Sequence, residues 1–112
     1  MTSFEFGAII RVAFLFTDQS TTKKRPAVVI SSHAYNTERP DGIIMAVTSQ
    51  IKPKSIIGEV FIQERQAAGL LKPSAIESII TTIETPLIIK AMGQLKDNDQ
   101  KALHESLKGI LG

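Results

Sequence analysis

Residue types on which many enzyme sites depend are scarce or missing. The 112 residues include no cysteine and only two histidines. The lack of cysteine excludes disulfides, thiolate metal sites and cysteine nucleophiles. The chain also shows no zinc-ligand spacing, no histidine-containing triad and no glycine-rich phosphate loop. Stability therefore has to come from packing and hydrogen bonds, and a reaction would have to use other side chains.

Long apolar segments are missing as well. No run approaches the roughly 20 apolar residues that span a bilayer, and Met1 to Glu5 lack the basic and apolar regions of a secretion signal. With 43% apolar and 21% charged residues, the composition is that of an ordinary globular protein. We therefore expect one domain over residues 1–112, located in the cytoplasm, because this length suits a single core.

The small surplus of positive charge lies in the first half of the chain. Residues 1–56 carry seven basic and four acidic side chains (+3), residues 57–112 carry six and seven (−1), and the net charge is +2. A surplus of this size does not establish an anionic partner. The densest basic cluster is Lys23, Lys24 and Arg25.

Short apolar runs separated by turn residues predict several β-strands. Ser31 or Ser32 is expected to cap a brief helical turn through Tyr35. Proline and glycine predict a turn over residues 38–42, and Gly69 predicts another. The predicted strands cover residues 9–16, 27–30, 43–47, 59–62 (an edge-like strand) and 74–83.

The last residues, 95–111, predict one amphipathic helix. Asp97 is placed as its N-cap, with Gln100 three residues on. Short strands followed by a single helix favour an α+β fold: a small, strongly curved antiparallel sheet or barrel, with the helix over one opening or face. The apolar helix residues recur at offsets 0, 4, 7 and 8, as Leu103, Leu107, Ile110 and Leu111.

Arg25 is the residue that physical reasoning singles out. It stands between a polar loop, Thr17 to Lys24, and an apolar strand, with Pro26 fixing its backbone and a planar fork that suits a phosphate. The alternative for Arg25 is a solvated charge. Thr48 and Ser49 close another apolar strand with two hydroxyls, which either cap the strand or donate to a bound anion.

The remaining titratable residues give weaker signals. His33 and His104 have the side chain for acid/base cleavage of RNA, but nothing in the sequence brings them together, and we interpret both as structural or surface residues. Asp18 is the carboxylate nearest the basic cluster. Its simpler interpretation is an Asx turn at the start of the loop.

A longer set of short motifs resembles one known family, the MazF/PemK toxins of toxin-antitoxin systems. The set covers nearly the whole chain in order, which makes it much more specific than any one piece. The matching segments are Gly7-x-Ile9-Ile10, Phe16-Thr17-Asp18, Lys24-Arg25-Pro26-Ala27-Val28-Val29-Ile30-Ser31, Asn36, Val47-Thr48-Ser49, Gly69-Leu70-Leu71-Lys72-Pro73-Ser74, Thr82-Ile83 and Gly93-Gln94-Leu95.

The resemblance implies both an activity and its residues. It implies a barrel-like β-fold of the MazF/PemK (CcdB-like) type, a homodimer, and a metal-independent endoribonuclease without cofactor that cuts single-stranded RNA by 2′-hydroxyl attack. It also implies a small antitoxin that occupies the RNA groove. By motif, Arg25 in the Arg-Pro pair and Thr48 in the Thr-Ser pair match the family's catalytic residues. The residues matched to RNA binding are Phe16, Thr17, Asp18, Lys23, Lys24, Ser49 and Thr82.

Some positions leave alternatives open. Phe16 shares its strand face with Ile10 and Val12, so burial competes with stacking on a base. Thr81 stands where many family members have an arginine, which bears on base preference and RNA affinity. Rival functions on the same scaffold are a topoisomerase poison and a regulator that only binds an antitoxin.

Overall fold

The computed structural model describes residues 4–14, 23–51 and 59–112. No helix within these ranges is long and apolar enough to cross a membrane. In chain order the elements are β1 (Ala8–Phe14), β2 (Lys23–Val29), α1 (His33–Glu38), β3 (Asp41–Thr48), β4 (Val60–Phe61), β5 (Ala75–Glu84), a 3₁₀ turn (Thr85–Leu87), β6 (Ile88–Gln94) and α2 (Asp97–Leu111).

The strands form one antiparallel sheet in the order β4-β5-β3-β2-β1-β6. In a flat sheet, four steps of about 4.8 Å would hold β5 and β6 roughly 19 Å apart. The link from Glu84 to Ile88 reaches at most about 14 Å, so the sheet has to curl. The predicted strong curvature and the α+β class are therefore confirmed, but the described strands form an open sheet and not a closed barrel.

Both faces of the sheet carry buried apolar residues. The apolar residues therefore alternate less strictly along the strands than in a sheet with one exposed face. The outer core lies under α2 and the connector between β4 and β5 (residues 62–74), and the inner core is the second cluster, formed by the alternate strand residues. The inner core contains Ala8, Ile10, Val12, Ala27, Val29, Ile44 and Ile83. The outer core contains Ile9, Val28, Met45, Val47, Val60, Ile62, Ala68, Leu70, Ile76, Leu95 and Leu103.

Most of the predicted elements are present, and β4 lies at a sheet edge as expected. Ser32 is the cap of α1, accepting a hydrogen bond from Tyr35 N at 3.1 Å. Ser31 is instead buried, where its hydroxyl donates to Asn36 and accepts from Ile43 N. The sequence analysis missed β6, an edge strand whose side chains are mostly exposed and whose Lys90, Ala91 and Gly93 interrupt any apolar pattern.

The predicted start of α2 was wrong by one residue. Lys96 is the N-cap, no side chain caps the helix there, and Asp97 is its first residue. The acidic residue with a structural role is Asp99, which is 1% exposed and accepts hydrogen bonds from Gln63 N at 3.0 Å and Glu64 N at 2.9 Å. The carboxylate thus ties α2 to the connector instead of capping the helix.

We expect Asp99→Ala to lower the free energy of unfolding by about 3 kcal/mol, because two part-buried N–H groups lose a charged acceptor. The matched control is Asp97→Ala, which removes an exposed carboxylate from the first turn and costs about 0.5 kcal/mol through the helix dipole. Urea unfolding measures both values. Equal losses would contradict a structural role for Asp99.

Candidate active site

Strand register brings Arg25 and Thr48 together. Ala27 on β2 lies opposite Ala46 on β3. Arg25 lies two residues before Ala27 and Thr48 lies two residues after Ala46, so the antiparallel pairing puts both at the same end of the sheet, where they line one pocket. Residues far apart in sequence therefore meet where β2 begins and β3 ends.

A pocket of about 240 Å³ lies at this end of the sheet. Arg25 and Thr48 are half-buried, and Ser49 and Gln50 are exposed beside them. We call this cavity the active pocket. It is lined by Lys24, Arg25, Pro26, Val47, Thr48, Ser49, Gln50 and Ser74.

The active pocket presents cations and hydroxyl groups. The Thr48 hydroxyl accepts a hydrogen bond from Gln50 N at 3.1 Å, which uses a lone pair and leaves the hydroxyl hydrogen for an oxygen in the pocket. Lys24 and Arg25 supply positive charge, and the guanidinium fork matches two oxygens of one phosphate. The arrangement suits an anionic, phosphate-containing ligand.

The usual acid/base side chains are absent from the described lining of the active pocket, which contains no carboxylate and no imidazole. Across residues 4–14, 23–51 and 59–112, no group of three or more His, Cys, Asp or Glu side chains is placed to hold a metal ion. The described lining of the active pocket therefore offers charge stabilisation and hydrogen bonding, without a carboxylate or imidazole base.

A second cavity of about 410 Å³ adjoins the first, which we call the side pocket. Pro26, Ser49 and Ser74 line both cavities. Ser74 is buried and its hydroxyl donates to Lys72 O at 2.9 Å. The side pocket is lined by Arg11, Pro26, Ser49, Gly69, Leu70, Leu71, Lys72, Ser74, Lys90 and Met92.

The other predicted RNA-binding residues fall in different places. Lys24 and Ser49 line the active pocket, and Lys23 begins β2. Thr82 lies opposite Ile43 on β3. Because Ile43 is five residues before Thr48, Thr82 lies about 16 Å along the strand from the Thr48 position. Thr82 lines neither pocket. Phe16, Thr17 and Asp18 lie outside the described residues.

The histidines do not contribute to either pocket. His33 is the first residue of α1 and is exposed. The ring of His104, on α2, stacks on Phe6 with centroids 4.1 Å apart and planes 10° apart. This agrees with their interpretation as structural or surface residues.

Sequence reasoning did not select three lining residues with charged side chains, Arg11, Lys72 and Lys90. Arg11 carried a signal, because it interrupts an otherwise apolar strand. Lys72 appeared only within a matched motif, and Lys90 lies in the strand that the sequence analysis missed. Their proximity depends on strand register and on the path of the chain between strands, which local sequence patterns do not reveal.

Comparisons with known proteins match nearly the whole chain to one family. Residues 5–111 match a family model described as PemK-like, MazF-like toxin of type II toxin-antitoxin system. A comparison with curated protein sequences found no match.

Solved structures share the fold. An endoribonuclease from a mycobacterial species has a TM-score of 0.78 at 16% identity, over 100% of this chain and 94% of that one. MazE-MazF from Deinococcus radiodurans has a TM-score of 0.77 at 19% identity, over 98% and 97%. An endoribonuclease in complex with its cognate antitoxin, also mycobacterial, has a TM-score of 0.73 at 15% identity, over 100% and 96%.

Proposed function

Because the chain belongs to the family of PemK-like, MazF-like toxins of type II toxin-antitoxin systems, we propose that it is an endoribonuclease that cuts single-stranded RNA without a metal ion. The observation that carries the proposal is the meeting of Arg25 and Thr48 in one pocket that fits a phosphate. The names of the structurally similar endoribonucleases support the same activity.

The proposed reaction is an internal transesterification. The ribose 2′-oxygen attacks the adjacent phosphorus and forms the O2′–P bond, while the P–O5′ bond breaks. The products are a 2′,3′-cyclic phosphate and a 5′-hydroxyl, so the proton lost at O2′ is balanced by one gained at O5′. Arg25 neutralises charge that develops on the phosphoryl oxygens, and the Thr48 hydroxyl donates to one of them. Arginine itself is a poor base near neutral pH, so the proposal assigns no side-chain base.

The proposal extends to partners. The candidate RNA contacts are Phe16, Thr17, Asp18, Lys23, Lys24, Ser49 and Thr82. We propose a homodimer whose loops build the RNA groove and a small antitoxin that competes for it, as the similar complex of an endoribonuclease with its antitoxin suggests. A cytoplasmic location follows from the proposed RNA substrate.

Incubation of the purified protein with a long RNA tests the activity. We expect cuts at a short recurring motif, unchanged by EDTA, with 2′,3′-cyclic phosphate ends that mass spectrometry identifies. Thr48→Val keeps the shape of the side chain and removes the donor, and we expect cutting to slow by about 100-fold.

Two controls make the test specific. An oligonucleotide with 2′-deoxyribose at the cut should resist cleavage, because it lacks the nucleophile, and Thr37→Val changes an exposed threonine outside both pockets. Intact RNA would contradict the proposal and favour a toxin that acts by binding alone. EDTA-sensitive cutting would contradict its metal independence.

A further inference from the structure

The side pocket gathers positive charge that the proposed reaction does not use. Strand pairing places Arg11 on β1 opposite Lys90 on β6 and opposite Pro26 on β2. Residues directly opposite each other point to the same face with Cβ atoms about 5 Å apart, and like charges so placed oppose folding. Lys72 lines the same cavity. An anion in the side pocket would relieve this repulsion.

Carboxylates do not offset these charges within the described chain. Arg11, Lys72 and Lys90 form no ion pair with a carboxylate of residues 4–14, 23–51 or 59–112. No aspartate or glutamate of these residues lines the side pocket. Unlike Arg39, whose guanidinium donates to Asp41 at 2.8 Å, the three cations remain open to an external anion.

The shape of the side pocket is set by backbone packing. The β1/β6 register shifts on both sides of the segment that pairs Arg11 with Lys90, and bulges of this kind re-aim side chains beside binding sites. One shift accommodates Met92, which packs against the outer core and lines the pocket. The opposite wall begins at Gly69, held against β6 by a hydrogen bond from Gln94 N to Ala67 O at 3.1 Å.

The side pocket is also continuous with the active pocket through Pro26, Ser49 and Ser74. A polymer whose scissile phosphate lies against Arg25 can therefore place a neighbouring unit in the side pocket. The cations suit a phosphate, and the apolar surface of Leu70 and Met92 suits the face of a base.

We propose that the side pocket binds the RNA nucleotide next to the scissile linkage, with its phosphate between Arg11 and Lys90 and its base against Met92. This inference rests on the proposed endoribonuclease activity and adds specific residues that hold the flanking strand. These are substrate-binding residues, since they contact the RNA away from the reacting atoms.

Substrate truncation combined with mutation tests the inference. Oligonucleotides containing the cut motif are shortened one nucleotide at a time from each end and given to the wild type and to an Arg11→Gln, Lys90→Gln double variant. On the full-length substrate we expect the variant to lose about 10- to 100-fold in kcat/KM, mainly through KM. Beyond one particular truncation, the difference between the two proteins should disappear, because the missing nucleotide is the one that the pocket holds.

Salt dependence provides an independent readout. Binding of a non-cleavable 2′-deoxy oligonucleotide should weaken in the double variant, and the slope of log K against log salt should become shallower by about 0.7, as for one phosphate contact on a single strand. The control variant Lys101→Gln, Lys108→Gln removes two exposed charges from α2, outside both pockets. It should behave as wild type in both assays.

Each other result overturns the inference in a recognisable way. If the wild type cuts RNA and the double variant is impaired equally on every length, the side pocket holds no flanking nucleotide. If the double variant cuts normally but binds an acidic peptide less well, the pocket serves a protein partner. If the wild type cuts no RNA and binds no oligonucleotide, the proposed function fails together with the inference.

Discussion

Arg25→Ala is expected to slow RNA cleavage by about 100- to 1,000-fold while the protein stays folded. The guanidinium lies in the active pocket with the Thr48 hydroxyl, where the proposed reaction builds negative charge on the phosphoryl oxygens. Loss of one preorganised donor to such charge typically costs this much in rate. Because Arg25 sits at the start of β2 and is only half-buried, its removal leaves both cores intact. Single-turnover cleavage and circular dichroism measure the two effects.

Two further variants separate charge from geometry. Arg25→Lys keeps the positive charge but loses the planar fork, so we expect a rate between those of the wild type and Arg25→Ala. Lys24→Ala removes the neighbouring exposed cation of the same pocket, and its loss should appear in KM more than in kcat. If Arg25→Ala cuts at the wild-type rate, Arg25 has no role in the reaction and the proposed assignment is wrong.

The site depends on how two strands end. Arg25 and Thr48 belong to strands whose interiors are fully buried, so the β2/β3 register is strongly specified by the two cores. A slip of one residue would move every apolar side chain of β2 to the other face. The packing that stabilises the sheet therefore also aligns the two proposed catalytic side chains.

Sequence patterns predicted the strands that carry strong local signals. β1, β3 and β5 are rich in β-branched side chains, and each lies close to its predicted position. β6 was not predicted, because an edge strand whose side chains mostly face solvent needs no apolar alternation. The helix cap was misplaced because Asp97 suits an N-cap by composition, whereas the helix begins at Asp97 without a side-chain cap and tertiary contacts use the carboxylate of Asp99 instead.

The site was predictable in part. Motif resemblance selected Arg25 and Thr48 as candidates, and the pocket that both line adds their proximity, which spacing alone does not contain. The side pocket was not predictable, because Arg11, Lys72 and Lys90 come from three separated segments. Their meeting depends on the β1/β6 register and on the connector before β5, which has no regular secondary structure and no sequence period.

That connector leads to the largest effect expected on stability, which is for Gly69→Ala. Gly69 has a φ of +74°, a conformation that L-residues with side chains adopt only at a cost. An added Cβ would also lie 2.1 Å from Met92 O, a backbone atom of β6 that cannot rotate away. Backbone strain and overpacking together should cost about 3 to 5 kcal/mol, enough to lower Tm by roughly 10 °C or more in a domain of this size.

Gly109→Ala is the matched control, because it is the same substitution in an exposed turn of α2 where an added Cβ meets nothing within 4 Å. It should raise the free energy of unfolding by about 0.5 kcal/mol through better helix propensity. Stability changes of opposite sign for the two variants in thermal unfolding would support the close approach of the connector to β6.

Since this approach also forms a wall of the side pocket, Gly69→Ala at a temperature where it remains folded should lose the dependence on the flanking nucleotide along with stability. A Gly69→Ala protein as stable as wild type would contradict the contact, and with it the rigid wall that the side pocket requires.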